Sequence, residues 1–544
     1  MLAFNSMTKV LGIFKRISYF LALPFLSGVL VGTSYIPFIG WALLFCYTPL
    51  WFKVLQLSNE NKKFSQIFLV SWFTQFVLTL IGFNWIYYVS SEFGHLPMIL
   101  SISALLAFAA FMHLYIPLSI TFAVFLIKKL RIEPPLIRFL VIALMMALFE
   151  RIWPSIFEWN LGYALLWMKN PIYQWADVVG FWGLSTWVFI VQAFISYGVY
   201  FFIKKDRKTA VLVIFQTAAV IAVLTLVGFF KGKTWNKTDD VVKVAIAQGN
   251  IGNAEKLQSE KKWQYHAYVL SAYAQITSEH LLNNPSDLII WPETAMPMAL
   301  DKKFLVRRDQ KMLLENIRNW QIPLVTGGYS IATKENGDEL YRNSVFYLSP
   351  QSGDNYSAEP YYKTNLLAFG EYMPFGEIFP ILYKLLPFVG EFAKGSGPVV
   401  AEVALKDKVI KLGPQICYDS LVPGFSRDLS RNGAQLIFNV TNDAWFGWWA
   451  EPYQHQFMTL ARAIEVRRPL VRSTNTGFSS AILADGTLLE NSPINKTWGH
   501  TYEVRYRKNP PLTLYTKFGY LDWILWLVIL LALLATYRKK GDHV

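Results

Sequence analysis

The sequence predicts a multi-domain protein in which a polytopic α-helical membrane domain of about eight transmembrane helices is joined to an extra-membrane α/β domain. Three observations predict this architecture. Hydrophobic residues make up 53% of the 544 residues and charged residues only 16%, which is poor in charge for a soluble protein. Long charge-free runs fill the first 230 residues and return near the end of the chain. Between them lies a stretch of ordinary polar composition with short β-rich runs.

The charge-free runs are long enough to cross a bilayer, which takes about 20 helical residues. The first run is too long for one span, and Tyr35-Ile36-Pro37 divides it into two. A weaker candidate at 139–149 is extended by apolar residues on both sides, and counting it gives eight spans. The clear runs are 17–52, 64–91, 97–127, 178–203, 209–230 and 523–537.

When eight spans are assumed, nearly all basic residues of the short loops fall on one side of the membrane. Arg151 and Lys169 alone fall on the side opposite to the others. By the positive-inside rule, both termini are cytoplasmic and the polar stretch lies outside. We therefore expect a membrane domain with seven helices over 1–230, an external domain over 231–517, and a last transmembrane helix with a cytoplasmic tail over 518–544. No convincing cleavage site follows the first span, which we expect to remain as an anchor.

Most of the net charge of +14 is located in the membrane part of the chain, which predicts no nucleic-acid partner. Residues 231–517 hold 32 Lys or Arg against 28 Asp or Glu, whereas the two flanks together hold 19 against 9. The two cysteines, Cys46 and Cys417, cannot form a disulfide framework. The seven histidines show no metal-ligand spacing, and we expect no metal or redox cofactor.

In the stretch 231–517, short β-rich runs alternate with polar helical segments, as is typical of a soluble α/β domain. Helices are predicted over 260–282 and 302–320. Strands are predicted over 242–247, 288–291, 324–327, 344–348, 409–416, 436–440 and 470–473.

Three residues able to do chemistry lie just after strand-like runs or in a turn-rich segment, where open α/β sheets place their sites. They are Glu293, Lys363 and Cys417. Taken alone, Cys417 is more often a buried structural residue, Glu293 a strand-end or helix-cap acid, and Lys363 a solvated charge. Together they are more specific, because a catalytic thiol needs a nearby base or a cation that favours the thiolate.

The motifs around these residues carry a resemblance to a known family. Trp291-Pro-Glu after a strand, Tyr361-Tyr-Lys followed by Phe369-Gly-Glu, and a strand ending in Ile416-Cys-Tyr resemble the nitrilase superfamily, whose αββα sandwich bears a Glu-Lys-Cys triad. The layout is more similar to one branch, the apolipoprotein N-acyltransferases, which set such a domain outside the membrane between the seventh and eighth spans. Further matching segments are 247–251, 441–447 and 468–477, so the resemblance covers essentially the whole chain.

The resemblance implies a role for each matching residue. Cys417 would be the nucleophile, Glu293 the general base and Lys363 the stabiliser of the tetrahedral oxyanion. Glu371 matches an assisting acid, although a turn acid between Gly370 and Pro374 is the plain alternative. Tyr418 and Asp419 are further candidates beside the nucleophile. Asp419 stands where close relatives are expected to have Glu, which leaves its role open, and Trp263 matches a tryptophan near the lipid entrance only loosely.

The implied activity is N-acyl transfer. A fatty acyl chain would pass from a membrane phospholipid to Cys417 as a thioester, and then to the α-amino group of the lipidated N-terminal cysteine of an apolipoprotein. The implied partners are the phospholipid donor, the diacylglyceryl-modified apolipoprotein acceptor and the bilayer, with no cofactor. The implied location is the bacterial inner membrane, with the external domain on the periplasmic side, and a monomer is expected.

Two segments have the composition of lipid-access elements. The stretch 374–392, which contains Leu385 and Leu386, is apolar but too short and proline-broken to span a bilayer. It either lies in the membrane interface or forms a core helix under the domain. Trp445, Trp448 and Trp449 belong to a loop that either meets lipid headgroups or packs on the domain.

Two other functions compete with N-acyl transfer. A membrane-tethered nitrilase-type amidase acting on soluble nitrogen compounds would keep the triad but would leave the apolar stretch and seven preceding spans unexplained. A transporter or scaffold with an inactive sensor domain would be expected to carry ionisable groups inside its spans. The long charge-free runs hold none, with His113 the nearest exception.

Overall fold

The computed structural model describes residues 18–252, 263–301, 308–334, 337–351, 355–386, 389–519 and 521–541. A helical region precedes an α/β domain, and one long helix follows it. The helical region contains α1 (Ser18–Gly32), α2 (Thr48–Asn59), α3 (Phe64–Gly82), α4 (Met98–Phe111), α5 (Tyr115–Lys129), α6 (Pro135–Ile152), α7 (Gly162–Trp167), α8 (Ala176–Ile203) and α9 (Arg207–Lys233).

Five described helical stretches are long and apolar enough to cross a membrane. On α9, large apolar side chains such as Val211, Phe215 and Val223 are more than half exposed, so a bilayer is needed to cover them. The chain is therefore a membrane protein, and the eight-span count stays a prediction. The five stretches are Phe64–Gly82, Met98–Lys129, Pro171–Ile203, Arg207–Lys233 and Leu521–Arg538.

The helices at the second and fifth predicted spans are not among these five stretches. After α1, the chain passes through turns until α2 begins at Thr48, so that only the last residues of the charge-free run 17–52 belong to this 12-residue helix. Pro37 removes a backbone donor there, and Gly40 adopts a positive φ of 69°, which together keep this segment out of a helix. The fifth span lies within α6, whose 18 residues extend the predicted core at both ends.

The α/β domain contains two sheets. The first has the order β11-β1-β2-β3-β4-β5 and the second the order β10-β9-β8-β7-β6. Parallel pairing joins β1 to β2 to β3 in the first sheet and β7 to β8 to β9 in the second. The strands are β1 (Asp240–Gln248), β2 (Leu288–Ile290), β3 (Leu324–Thr333), β4 (Glu339–Leu348), β5 (Ala358–Tyr362), β6 (Ala401–Ala404), β7 (Val409–Ile416), β8 (Leu436–Thr441), β9 (Leu470–Thr474), β10 (Ser480–Ile482) and β11 (Trp498–Tyr506).

The sheets pack face to face and each carries helices on its outer face. Apolar residues of both sheets, among them Val244, Ile290, Leu412 and Phe438, share one core. A second core lies between the first sheet and its helices, α10 (Trp263–Leu281) and α11 (Arg308–Trp320). The second sheet is covered by α13 (Pro423–Arg431) and α14 (Glu451–Val466). The four-layer αββα arrangement that the resemblance implies is confirmed.

Helix α14 joins the α/β domain to the helical region and is buried along nearly its whole length. Its Gln454 amide donates to the carbonyls of Ile36 and Gly82, both at 2.8 Å. At Gly180, whose φ is 69°, α8 is kinked, and the freed N–H of Phe181 donates to Glu465 at 2.9 Å. The α/β domain is thus bonded directly to the membrane helices.

Three further helices are α12 (Ile381–Leu385), α15 (Leu514–Phe518) and α16 (Leu521–Gly541), and a short helical segment over 86–93 lies between α3 and α4. Between the helical region and the first strand, α9 ends at Lys233 and β1 begins at Asp240. At the other end, β11 stops at Tyr506 and the last apolar helix starts at Leu521.

Candidate active site

The three residues singled out in the sequence each follow the carboxyl end of a strand. Glu293 comes after β2 and Lys363 immediately after β5, both in the first sheet. Cys417 comes immediately after β7 in the second sheet. Gly327 on β3 makes room for the Glu293 loop, because a Cβ there would lie 2.7 Å from the Cα of Glu293. The two packed sheets therefore bring the three side chains to one cavity between their strand ends.

Lys363 is a buried ammonium held between two carboxylates. Its Nζ lies 2.8 Å from Glu371 and 3.7 Å from Glu293, and the residue is 1% exposed. Burial alone would lower the pKa of Lys363, but the negative charges of the Glu371 and Glu293 carboxylates outweigh it and raise that pKa. Lys363 is therefore positively charged at neutral pH and faces the site as a fixed cation.

Asn343 on β4 holds both carboxylates, and the sequence had not singled it out. Its Nδ2 donates to Glu293 Oε1 at 2.6 Å and to Glu371 Oε1 at 3.2 Å. The backbone N–H of Leu367 donates to the other oxygen of Glu371 at 2.9 Å. The one signal that the sequence offers for Asn343 is a polar residue within a strand. Its closeness to Lys363 cannot be read from the sequence, because the two residues meet only through the pairing of β4 with β5, where Lys363 N donates to Asn343 O at 2.8 Å.

Cys417 opens a tight helical turn, Cys417–Leu421, and adopts the left-handed conformation with φ of 47°. Its carbonyl accepts from the Ser420 hydroxyl at 2.9 Å and from Asn439 Nδ2 at 3.3 Å. Burial and the charge of Glu293 raise the pKa of the Cys417 thiol, while Lys363 and a hydrogen bond from Thr441 lower it by less. The resting thiol therefore keeps its proton until a base removes it.

The two residues after Cys417 do not line the cavity. Asp419 is buried and accepts from the Tyr361 hydroxyl at 2.7 Å, from Asn365 N at 2.8 Å and from Ile416 N at 3.1 Å. Its carboxylate ties the segment around Lys363 to the turn of Cys417. The Tyr418 hydroxyl donates to the carbonyl of Ile156, in the loop between α6 and α7. Neither side chain is among the described residues that line the cavity.

The cavity has a volume of about 610 Å³ and joins the polar site to the membrane helices. Its polar end contains Glu293, Asn343, Lys363, Glu371 and Cys417. Its other walls are apolar and come largely from the helical region of the chain. These walls include Trp85, Ile86, Val89, Phe93, Phe108, Phe157, Phe392, Trp445 and Phe446.

The candidate access residues occupy different places. Trp445 lines the cavity and packs edge-on against Phe93, with ring centroids 4.7 Å apart. Trp448 is 64% exposed, and Trp449 packs against Phe38. Trp263 begins α10, but its side chain lies outside the described part of the structure.

The stretch 374–392 holds only the short helix α12 among its described residues, and 387–388 lie outside them. Phe375, Ile378 and Leu385 are each about two-thirds exposed or more, whereas Leu386 is half-buried. These exposed side chains favour a surface arm over a core helix beneath the domain. Neither Leu385 nor Leu386 is among the described residues lining the cavity.

Comparison with known proteins adds family relationships to this geometry. The family model for the apolipoprotein N-acyltransferase N-terminal domain matches residues 27–194, and that for carbon-nitrogen hydrolase matches residues 243–504. The apolipoprotein N-acyltransferase of Bdellovibrio bacteriovorus is 46% identical over 95% of this chain and 94% of its own. That of Geobacter metallireducens is 29% identical over 84% of this chain and 85% of its own. Among solved structures, Saccharomyces cerevisiae Nit3 of the nitrilase superfamily covers 49% of this chain and 91% of its own at 15% identity, with a TM-score of 0.36.

Proposed function

The chain belongs to the apolipoprotein N-acyltransferase family, and we propose that it moves a fatty acyl chain from a membrane phospholipid, through a thioester on Cys417, to the α-amino group of the lipidated N-terminal cysteine of apolipoproteins. The observation that carries this proposal is the cavity. Residues able to carry out acyl transfer lie at its polar end, and its apolar walls come partly from the helical region, including Phe108 on α4. A lipid can enter such a site sideways, without exposing its chain to water at about 0.8 kcal/mol per CH₂.

In the first half-reaction, Glu293 takes the proton of the Cys417 thiol as the sulfur attacks the ester carbonyl of the phospholipid. The carbonyl becomes a tetrahedral oxyanion, and the ammonium of Lys363 offers the fixed positive charge that stabilises it. Collapse of the intermediate breaks the carbon–oxygen bond, and Glu293 returns its proton to the departing alkoxide. A thioester and a lysophospholipid result.

In the second half-reaction, the α-amino group of the apolipoprotein attacks the thioester. Glu293 accepts a proton from the attacking nitrogen, and Lys363 again faces the oxyanion. The carbon–sulfur bond then breaks, and the thiolate recovers a proton from Glu293. Asn343 supports both steps, because it donates to Glu293 and Glu371 at once and so fixes the base relative to the cation.

Glu371 is proposed to assist by keeping the Lys363 side chain positively charged and in a fixed orientation. The ion pair at 2.8 Å and the backbone bond from Leu367 hold its carboxylate in one place. Tyr418 and Asp419 are proposed to act only as supports, since their bonds run to Ile156 and to the segment around Lys363. The exposed arm of residues 374–392 and the loop of Trp448 are proposed to contact the interface, next to the Trp445 wall of the cavity.

The membrane-tethered amidase is the less favoured alternative. A soluble nitrogen compound needs no apolar passage, whereas this cavity is walled mainly by aromatic and aliphatic side chains. For topology we propose residues 1–230 as the membrane domain, 231–517 as the catalytic domain and 518–544 as the C-terminal span and tail. Both termini would be cytoplasmic and the catalytic domain periplasmic, in the inner membrane, with the protein acting as a monomer.

The proposal is tested by carrying out the two half-reactions separately. Purified protein would be loaded from acyl-labelled phospholipid, freed of excess lipid, and then given a peptide bearing a diacylglyceryl-modified N-terminal cysteine. The label should move to the peptide, whereas a matched peptide with an acetylated α-amino group should receive none. Equal labelling of the blocked peptide, or release of free fatty acid without transfer to either peptide, would contradict N-acyl transfer.

A further inference from the structure

A buried polar cluster lies behind Cys417, and the acyl-transfer steps leave it unexplained. Its members are Thr441 at the end of β8, Asp443 in the next turn, His455 on α14 and Arg472 on β9. Each is 3% exposed or less. Three of the four come from the segments 441–447 and 468–477, which the resemblance matches without assigning them a task. Buried polar groups of this kind are costly unless each has a partner.

The cluster is bonded to the backbone of Cys417. Arg472 donates to Asp443 Oδ2 at 2.6 Å and to Asn439 Oδ1 at 2.9 Å. The amide of that same Asn439 donates to the Cys417 carbonyl at 3.3 Å. His455 Nδ1 lies 3.1 Å from the other oxygen of the same carboxylate, Asp443 Oδ1. A chain of hydrogen bonds through Arg472 and Asn439 therefore leads from Asp443 to the strained residue that carries the thiol.

A left-handed conformation is strained for a residue with a side chain and persists only where its surroundings hold it. For Cys417, which has a φ of 47°, the surroundings are this cluster together with Ser420. The conformation matters for chemistry, because it decides where the sulfur points relative to Glu293 and Lys363. A loosened carbonyl would let the thiol turn away from both.

Thr441 connects the cluster to the sulfur itself. Thr441 follows Val440, the register partner of Ile416, which sets it beside Cys417, and its hydroxyl interacts with the Cys417 thiol. The same hydroxyl lies 3.5 Å from Asp443 Oδ1. A hydroxyl has one proton, so it cannot donate to both acceptors. The 3.5 Å separation makes the bond to Asp443 weak, and Arg472 neutralises that carboxylate. The proton can therefore turn to the sulfur when the sulfur becomes negative.

Asp443, Glu451 and His455 also offer three ligand atoms within 4.8 Å of one another, which raises the question of a metal ion. The guanidinium of Arg472 already supplies the positive charge at this point, 2.6 Å from Asp443. A cation placed among these ligands would meet that charge at close range without solvent to screen it. The arrangement therefore fits a positioning cluster better than a metal centre.

We propose that Thr441 donates a hydrogen bond to the Cys417 thiolate, and that Asp443, Arg472 and His455 are positioning residues that hold Thr441 and the strained backbone of Cys417 in place. The proposal rests on Cys417 being the nucleophile. Its test needs no lipid, so that its failure and a failure of the acyl-transfer proposal remain distinguishable.

The test is the rate of alkylation of Cys417 by iodoacetamide in the full-length protein between pH 7 and 9, read on the Cys417 peptide by mass spectrometry. Because only the thiolate reacts, the rate reports the thiolate fraction. Thr441→Val should slow alkylation about tenfold, equivalent to a rise of about one unit in the pKa of the thiol. Thr441→Ser keeps the hydroxyl and should restore the original rate.

Glu293, Lys363 and Glu371 also face the thiol and affect its ionisation, so the control must leave them alone. Thr474 is such a control, because it is the register partner of Thr441 on β9, is equally buried, and bonds to Gln248 instead of Cys417. Thr474→Val should leave the alkylation rate unchanged. An unchanged rate in Thr441→Val, or an equal loss in Thr474→Val, would overturn the role of Thr441.

The positioning part is tested at His455. In His455→Asn the amide can still donate to Asp443, as Nδ1 does, whereas His455→Leu cannot. We expect the Leu variant to lose at least tenfold in alkylation rate at every pH tested and the Asn variant to retain most of it. Equal rates in the Leu variant and the unchanged protein, with both folded by thermal unfolding, would contradict the positioning role.

Discussion

At the scale of single residues, the site depends on charges placed before substrate arrives. Lys363 is held as a cation by Glu371 and Glu293, and burial keeps the Cys417 thiol protonated at rest. The proposed mechanism has Glu293 take that proton and Lys363 stabilise the oxyanion. Removal of the cation should therefore slow the chemistry without preventing folding into the membrane.

Lys363→Met tests the cation. The nearly isosteric side chain removes the charge facing the oxyanion, and acyl-adduct formation from phospholipid should fall about 10²–10³-fold. Lys411→Met is the matched control, because Lys411 pairs with Glu402 on the exposed surface and should leave the rate unchanged. Single-turnover loading with labelled phospholipid measures both. A rate for Lys363→Met within a factor of about three of the unchanged protein would remove Lys363 from the mechanism.

Glu293 and Cys417 could be predicted from the sequence because each stands just past a β-rich run, and Lys363, in a turn-rich segment, because it lies within a distinctive motif. Asn343 and Thr441 could not. Asn343 reaches Glu293 only because β4 pairs with both β3 and β5, and Thr441 reaches Cys417 only because β8 lies beside β7. Such partners depend on strand order, which one-dimensional patterning does not encode.

At the scale of secondary-structure elements, two segments connect the site to the bilayer. One is the arm of residues 374–392, whose described apolar side chains are largely exposed. The other is α14, which carries His455 toward the nucleophile and Gln454 toward the membrane helices. The arm should affect substrate entry, whereas α14 should affect the stability of the whole chain.

Replacing Leu385 and Leu386 by Glu tests the arm. Each buried apolar side chain contributes roughly 1.5–3 kcal/mol to insertion, so the change should impair acylation from bilayer phospholipid and spare reaction with a small water-soluble thioester. Leu282→Glu, which alters a leucine 82% exposed beyond the end of α10, is the control and should affect neither reaction. Equal loss on both substrates would mean that the arm supports the fold, and no loss on either would remove it from lipid entry.

Arg467→Met tests the docking of α14. Arg467 follows this helix, is fully buried, and donates to Asp177 at 2.9 Å and to Gln174 at 2.7 Å in the helical region. Breaking such a buried pair should cost about 3 kcal/mol and lower the Tm in detergent by several degrees. Arg431→Met removes an exposed pair with Asp428 and should leave the Tm nearly unchanged. Equal Tm values for the two variants would contradict the docking role.

The elements themselves were predictable to different degrees. Strands such as β7 and β8 are rich in apolar and β-branched residues and were predicted at nearly their observed bounds. β5 contains a proline, and β11 alternates polar with apolar residues, so neither has the apolar run by which the other strands were predicted. Helix α14 was missed because it is buried on all sides yet contains Gln454, His455, Arg462 and Glu465, which hides any single apolar face.

At the scale of the whole molecule, the proposed reaction requires the α/β domain to lie on the side of the membrane whose leaflet holds its lipid substrates. The cavity opens toward Trp85, Phe93 and Phe108 of the helical region, so the α/β domain and the membrane helices form the site together. Composition and charge predicted this two-part plan. The second predicted span is the exception, since Pro37 and Gly40 replace its first half with turns.

The membrane orientation is tested by reporters at two positions. The sorting of basic residues predicts that a fusion after Lys208 reads cytoplasmic and that an insertion near Asn355 reads external. Paired phosphatase and fluorescent reporters distinguish the two sides. Both positions on the same side would mean that the span count is wrong, most directly at 139–149, which is the shortest of the charge-free runs.

The central claim is that Cys417 carries the acyl chain, and the most direct measurement looks for that chain on the sulfur. Purified protein would be incubated with acyl-labelled phospholipid alone, and Cys417→Ser would be treated in parallel as the variant with the nucleophile removed. The account predicts a hydroxylamine-sensitive adduct on the Cys417 peptide and none in the variant, because a serine hydroxyl is far harder to ionise than a thiol. An unmodified Cys417 during normal turnover, or normal turnover by Cys417→Ser, would contradict it.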